Sequence, residues 1–540
     1  MTEPSPTRLL CRGRIPRLVL VCVLAIGALG AAWSVITPLG EGPDEVAHLS
    51  LVLHLAEGEP FPDYDQLLSH VGAIRLCYEY TAATRACPKD GEEVTRASIR
   101  PHLLANARPK DQRLAWDEVD GATRLNPNQM AQHPPLYYQA MSVVLRVERA
   151  VLGGPMSLDR ELALLRLVNV ALLMPLPLLS WWAARRFGLD QQAASLAAVA
   201  TLGIPMLSHI GATLNNDNLL TLIGFGLVAV LSGVVRGNKE LKSATAVGVL
   251  CALALLTKAS AVVFPPLIVL AYLIGWVSSQ DRAQRPTVVS WIKPLALGSV
   301  VTAIGGSWWY LGVHHRTGSF VPSIESTRIN ESTQPLGFEP DMVHFFGEFT
   351  STFTQRFWGS FGWYTVRIEL WLAIALTAIG AAIVVAALWP RVSAEGSSRL
   401  QRLFLIAPVG LFSAFVFMRA WNLHVISGQY PFIQGRYLFG GLVGVFVLVA
   451  IAASKHLGRW AGPAICGFAV VIQLDALRRC LQTWWGAPDI GPRGQMRAMV
   501  AWSGWPGEFV WLLIVGAVVA VGWLAVEVAR EVSPLGSESQ

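Results

Sequence analysis

Charge is what this chain has least of: only 14% of its 540 residues are Asp, Glu, Lys or Arg, against 53% hydrophobic. That balance excludes an ordinary soluble surface over such a length. Its seven cysteines include no spacing of the zinc-finger type, which argues against a structural zinc module. No internal repeat or low-complexity tract is visible, so solenoids and duplicated transporters lose their usual signature. The net charge of +6 is spread in short clusters between hydrophobic segments. This pattern orients membrane helices and gives no indication of nucleic acid as a partner.

What is present is a series of apolar runs, and the fold class they predict is an all-α polytopic membrane protein. Spans are expected near 17–39, 160–185, 191–212, 217–236, 243–257, 260–278, 290–311, 368–389, 402–419, 437–454, 460–476 and 507–528. About twelve crossings result, within a range of roughly 10 to 14. Arg8, Arg12, Arg14 and Arg17 precede the first span and place the N-terminus in the cytoplasm. Alternate connections then gather Arg185 and Arg186, Arg236 with Lys239 and Lys242, Arg282 with Arg285, Arg391 with Arg399 and Arg402, Lys455 with Arg459, and Arg530.

The expected organisation is a cytoplasmic tail over 1–16, a transmembrane module over 17–455, C-terminal helices with an external loop over 456–529, and a cytoplasmic tail over 530–540. Two large external loops are expected, at about 40–159 and 314–367, the first carrying juxtamembrane helices. A cleaved signal peptide ending near Ala32 is the rival reading of the N-terminus. The apolar run is long for that, and an uncleaved helix is favoured. Cys77 and Cys87, on the oxidising side in this topology, are candidates for a disulfide.

Polar residues gather on that external side. Directly after the first span comes Glu41-Gly42-Pro43-Asp44-Glu45-Val46-Ala47-His48, which sets two carboxylates and an imidazole at a membrane surface. Acids in the first turn of a surface helix would also suit its dipole. Gln132-His133-Pro134-Pro135-Leu136-Tyr137-Tyr138 opens an amphipathic helix expected on the membrane surface, with both tyrosines at headgroup level. For His48 and His133 the residues suggest helix packing, hydrogen bonding or a ligand role. Asn215-Asn216-Asp217-Asn218 precedes another span and exceeds what one helix cap requires. Lys258 is an isolated ammonium where the fifth helix reaches the outer face, either snorkelling or meeting an anion such as a lipid phosphate. Gln434-Gly435-Arg436-Tyr437 puts a guanidinium on the translocated side, against the charge rule. Arg436 therefore reads either as a phosphate contact or as half of a structural ion pair.

Taken together, Pro43-Asp44-Glu45-x-x-His48, His133-Pro134-Pro135-Leu136-Tyr137, Leu256-Thr257-Lys258-Ala259, the aromatic Trp358-Gly359-x-x-Gly362-Trp363 and Gln434-Gly435-Arg436-Tyr437-Leu438 resemble the GT-C-type membrane glycosyltransferases. The resemblance is closest to a poorly characterised bacterial branch related to protein mannosyltransferases and lipid A aminoarabinose transferases, and it covers about 17–455. It implies an enzyme of the bacterial plasma membrane that transfers a sugar from a polyprenyl-phosphate donor, with inversion, to an extracytoplasmic lipid, glycan or protein of the envelope. By the same resemblance Asp44 is the catalytic base, with Glu45 as helper or substitute. Asp217 matches a second acidic position, and Lys258 and Arg436 bind the donor phosphate. His48, His133, Asn216, Asp217 and Gln434 are further candidates for substrate or metal contact.

The chemistry stands without the family. Displacing a phosphate from an anomeric carbon requires a base for the acceptor hydroxyl, positive charge for the leaving phosphate and in-line geometry. A divalent cation on Asp44, Glu45 or Asp217 would be magnesium, manganese or calcium, given hard oxygen ligands. The competing expectations are a transporter or flippase of lipid-linked glycans, and a non-catalytic envelope-assembly protein.

Overall fold

The structure is a computed structural model that describes residues 14–73, 110–115, 127–279, 287–324, 329–389, 396–486 and 490–532. Cys77 and Cys87, and with them the expected disulfide, lie outside the described residues.

Apolar composition makes the helices, and capping chemistry delimits several of them. Helix α1 (Arg17–Ile36) leads into a loop and then α2 (Glu45–Ala56), which starts directly after Asp44. The amphipathic α3 (Leu136–Leu152) precedes α4 (Leu158–Leu173) and α5 (Leu176–Phe187), which together form one apolar stretch. The third expected span is broken: α6 (Gln191–Ala200), its short extension to Gly203 and α7 (Pro205–Gly211) meet at 70°. Pro205 opens α7 and supplies no amide to continue α6, so the chain turns there. Then follow α8 (Asp217–Val235), α9 (Leu241–Leu255), α10 (Phe264–Ser279) and α11 (Val289–Thr317). Outside that bundle α12 (Met342–Trp358) leads to the two-stranded hairpin Ser360–Phe361 and Val366–Arg367. The remaining helices are α13 (Leu370–Leu388), α14 (Arg399–Ser427), α15 (Leu442–Leu457), α16 (Ala461–Trp485), α17 (Pro492–Trp502) and α18 (Gly507–Val532). A capping box between Ser398 and Gln401 starts α14, and Gly428, at φ 68°, ends it in the left-handed conformation that glycine adopts without strain.

Every expected span has a helix, but fewer meet the length and apolarity needed to cross alone. Among the described residues there are nine such stretches, or ten with the bent pair. The difference from twelve has three sources. The third span is bent, α9 has only 15 residues, and α15 with α16 falls in one stretch, Gly435–Trp485. At 1.5 Å per residue α9 reaches roughly 22 Å, short of a core of about 30 Å, and the chain breaks just past it at Lys258.

Two close crossings matter for function. A side chain at Gly224 in α8 would stand 2.4 Å from the carbonyl of Gly440, and one at Gly444 in α15 would stand 2.0 Å from the carbonyl of Leu405 in α14. Small residues thus let the turn Gly435–Gly441 press against α8 and α14. That contact carries Arg436 to the start of α8, beside Asp217.

At the far end of the chain, a latch of cations grips backbone. Lys110 donates to the carbonyls of Val500 and Trp505 at 3.1 and 2.7 Å, Arg113 to that of Trp502 at 3.0 Å, and Arg160 to that of Gly504 at 3.1 Å. Lys110, Arg113 and the first turn of α4 are thereby tied to the end of α17 and the turn that precedes α18.

Candidate functional site

The two neighbouring acids that follow α1 have different surroundings. Glu45 is fully buried and takes a bidentate pair from Arg166 of α4 at 2.8 and 2.6 Å, plus the amides of Gly40 and Leu214 at 3.0 Å each. Arg166 spends its remaining donors on the carbonyls of Ser34, Thr37 and Pro38 at 2.8, 2.6 and 2.8 Å. The pair therefore closes the C-terminus of α1 and pins it to the first turn of α2. It leaves Glu45 no oxygen for a substrate, so the position offered as helper or substitute base is a structural anchor here.

Asp44 is held by that anchor in the left-handed region, at φ 60° and ψ 9°. Such a backbone costs a non-glycine residue on the order of 1–3 kcal/mol. Its carboxylate makes no capping hydrogen bond to α2, so helix initiation does not explain the residue. Instead Oδ2 meets Nη2 of Arg436 at 2.9 Å, while Oδ1 has only a 3.4 Å contact from the Gln129 amide.

Four charges form a chain across four segments. Arg436 bridges Asp44 and, through Nε at 3.0 Å, Asp217; Asp217 in turn holds the Lys258 ammonium at 2.6 Å. Nη1 of Arg436 donates to the Tyr364 hydroxyl at 3.1 Å and to Gln434 Oε1 at 3.2 Å, and the Tyr364 hydroxyl also donates to Gln434. Lys258 stands 4.5 Å from the centre of the Tyr437 ring. Side-chain exposure separates the acids: 19% for Asp44, 3% for Asp217 and none for Glu45.

These groups border a cavity of about 370 Å³. Asp44, His48, His133, Asn216, Lys258, Arg419 and Arg436 line its polar side, and Leu255, Val262, Tyr310, Phe320, Val321 and Phe415 supply an apolar wall. Asp217, Glu45 and Gln434 lie behind that lining. Burial pushes His133 down to about 3, with Lys258, Arg419 and Arg436 adding repulsion, and burial likewise holds His48 well below its ordinary range. Both imidazoles are neutral at pH 7. Burial also lowers Lys258, against the pull of Asp217.

Tyr137 and Tyr138, expected at headgroup level, are fully buried in protein. Tyr137 donates to Asn169 at 2.9 Å, and Tyr138 stacks on His48 and lies 3.0 Å from its Nδ1. Their apolar bodies fill the contact between α2 and α3, while their hydroxyls meet polar partners that lipid would not provide. The Asn cluster is also more than a cap. Asn215 accepts from the amide of Asp217, Asn218 donates to Asn169 and two carbonyls, and Asn216 keeps a buried Oδ1 with no partner at the cavity.

Arg166 and Arg419 are the residues that the sequence reading passed over. Arg419 carried the same signal as Arg436, a cation at the far end of an apolar helix. Arg166 was hidden among the hydrophobic residues of α4.

The acidic candidates do not form a ready cradle for a divalent cation. Asp217 and Glu45 are closed by ammonium and guanidinium groups, and among the described residues no three His, Cys, Asp or Glu side chains converge.

A fourth carboxyl, Glu41, clamps the aromatic hairpin. Its Oε1 accepts from the Thr365 hydroxyl at 2.6 Å and from the Trp363 amide at 3.4 Å. Burial raises it to about 7, outweighing those hydrogen bonds. The folded protein holds this proton up to about pH 7, whereas the unfolded chain releases it near 4.5. Stability contributed by Glu41 is thus complete below the lower value and declines as pH rises through that window. Glu41→Gln retains the acceptor for Thr365 and is expected to flatten the fall in melting temperature between pH 5 and pH 8. An unchanged profile in detergent-solubilised protein would contradict this.

No curated protein matches the sequence. Among solved structures the chain is similar to ArnT from Cupriavidus metallidurans bound to undecaprenyl phosphate, at 15% identity and a TM-score of 0.44, over 93% of this chain and 77% of that one. It is also similar to the Archaeoglobus fulgidus oligosaccharyltransferase in the apo form, at 12% identity and a TM-score of 0.41, over 90% of this chain and 56% of that one. A third similar structure is the archaeal oligosaccharyltransferase AglB from Archaeoglobus fulgidus in complex with an inhibitory peptide and a dolichol-phosphate, at 13% identity and a TM-score of 0.37, over 95% of this chain and 56% of that one. The chain spans little more than half the length of the oligosaccharyltransferase. The family model described as "Predicted membrane protein (DUF2142)" matches residues 28–445, well over half of the chain, and the protein belongs to that family.

Proposed function

We propose that this protein is a GT-C-type membrane glycosyltransferase, taking a sugar from a polyprenyl-phosphate donor and passing it to an envelope lipid, glycan or protein. The observation that carries the reading is the cavity itself. One wall is apolar, as a lipid tail requires, and the other sets one accessible carboxylate among three cations. The charge pattern of the connections supports a bacterial plasma-membrane location, a cytoplasmic N-terminus and a site on the outer face.

In this reading Asp44 Oδ1 removes the proton of the acceptor hydroxyl. The oxygen's electron pair forms the new bond to the anomeric carbon, the bond from that carbon to the phosphate oxygen breaks, and its electrons leave on the phosphate. Attack opposite the leaving group inverts the centre. Lys258 and Arg436 stabilise the departing charge, while Asp217 holds both cations in register. His48, His133 and Asn216 provide neutral hydrogen-bonding groups for the sugar or the acceptor.

Reconstituted protein, supplied with a labelled polyprenyl-phosphate sugar and an envelope fraction, is expected to move label into a lipid, glycan or protein product. No incorporation across a panel of such donors would sink the reading.

A further inference from the structure

Two of the three cations at the cavity already have carboxylate partners. Lys258 is held by Asp217 at 2.6 Å, and Arg436 by Asp44 and Asp217 at 2.9 and 3.0 Å. Arg419 has none among the described residues. Its Nη2 has a 3.5 Å contact with the Ser323 hydroxyl, its guanidinium lies 4.6 Å from the centre of the Phe432 ring, and its Nε is buried without a hydrogen-bond partner. Asp44 and Asp217 offset two positive charges, so Arg419 supplies the cavity's excess.

An anion entering the cavity meets unequal opponents. To reach Lys258 or Arg436 it must compete with a resident carboxylate. At Arg419 it relieves an unpaired, partly desolvated guanidinium whose planar fork fits two phosphate oxygens. The apolar wall is adjacent: Phe415 lies one turn earlier on the same helix, and Val321 and Phe432 line the same space.

We propose that Arg419 is the residue that captures the anionic group of the lipid-linked ligand, ahead of Lys258 and Arg436. This rests on the polyprenyl-phosphate reading above and adds which cation makes the first contact. Engagement of the other two then follows as the phosphate shares them with Asp217.

Binding separates this idea from catalysis. Full-length protein in lipid nanodiscs is titrated with a polyprenyl monophosphate and with the same polyprenol lacking phosphate. Arg419→Gln is expected to weaken the phosphate probe by roughly tenfold or more, the scale of a lost charge-assisted hydrogen bond, and to change the polyprenol by less than about twofold. Arg419→Lys, which keeps the charge but loses the fork, is expected to fall between. Wild-type phosphate affinity in Arg419→Gln, or equal losses for both probes, overturns the assignment. A wild-type protein that binds the two probes equally removes the donor reading itself, an outcome distinct from failure at Arg419 alone.

Discussion

Asp44→Asn is expected to lower sugar transfer by about three orders of magnitude, within the span usual for losing a general base, while leaving the protein folded. The fold is expected to survive because of the backbone at this position. Asn tolerates the left-handed conformation better than most residues, and the Asp44 side chain caps nothing in α2. The amide still accepts from Arg436 through its oxygen but no longer takes a proton. Normal melting temperature with lost transfer is the expected pairing. Transfer within a few-fold of wild type would remove Asp44 from the chemistry and leave it as a partner of Arg436.

The largest effect on stability is expected from Arg166→Leu. The substitution strips a fully buried carboxylate, Glu45, of its counter-ion, leaves the carbonyls of Ser34 and Thr37 without a donor and leaves that of Pro38 with the Glu41 amide alone. Breaking one side of such a pair costs about 3–5 kcal/mol. Low yield of monodisperse protein and a depressed melting temperature are the readouts. Adding Glu45→Gln removes the stranded charge and is expected to recover part of the loss, giving a measurable coupling between the two sites. Independent, additive effects would mean that the pair does not hold α1 to α2.

How much of this was legible beforehand depends on which physical signal each residue leaves. The polytopic class and a helix at each of the twelve expected spans follow from apolar runs, whereas α12 and α17, too polar to read as spans, lie where loops were expected. Crossing number was harder to read, since hydropathy does not report that Pro205 breaks a span or that α9 stops after 15 residues. Asp44, His48, His133, Asn216, Lys258 and Arg436 are brought to one cavity, as their shared external placement suggested. Local sequence does not tell two adjacent acids apart. Glu45 is closed by Arg166, 121 positions away, and only tertiary contact decides that. Tyr137 and Tyr138 failed for a related reason: an amphipathic tyrosine looks the same whether its polar end meets a headgroup or a buried asparagine.

The latch formed by Lys110, Arg113 and Arg160 speaks to how the C-terminal part of the chain is free to diverge. Four of its hydrogen bonds end on main-chain oxygens between Val500 and Trp505, and every amino acid presents that oxygen. Recognition there is indifferent to spelling, apart from Trp502, whose ring also sits under Arg113, and Gly504, where a side chain would stand 3.0 Å from the Asp159 carboxylate. The hydrogen bonds themselves leave the other letters free to drift so long as the path is kept. A one-residue deletion, by contrast, shifts several acceptors at once, so insertions and deletions there are penalised more than substitutions.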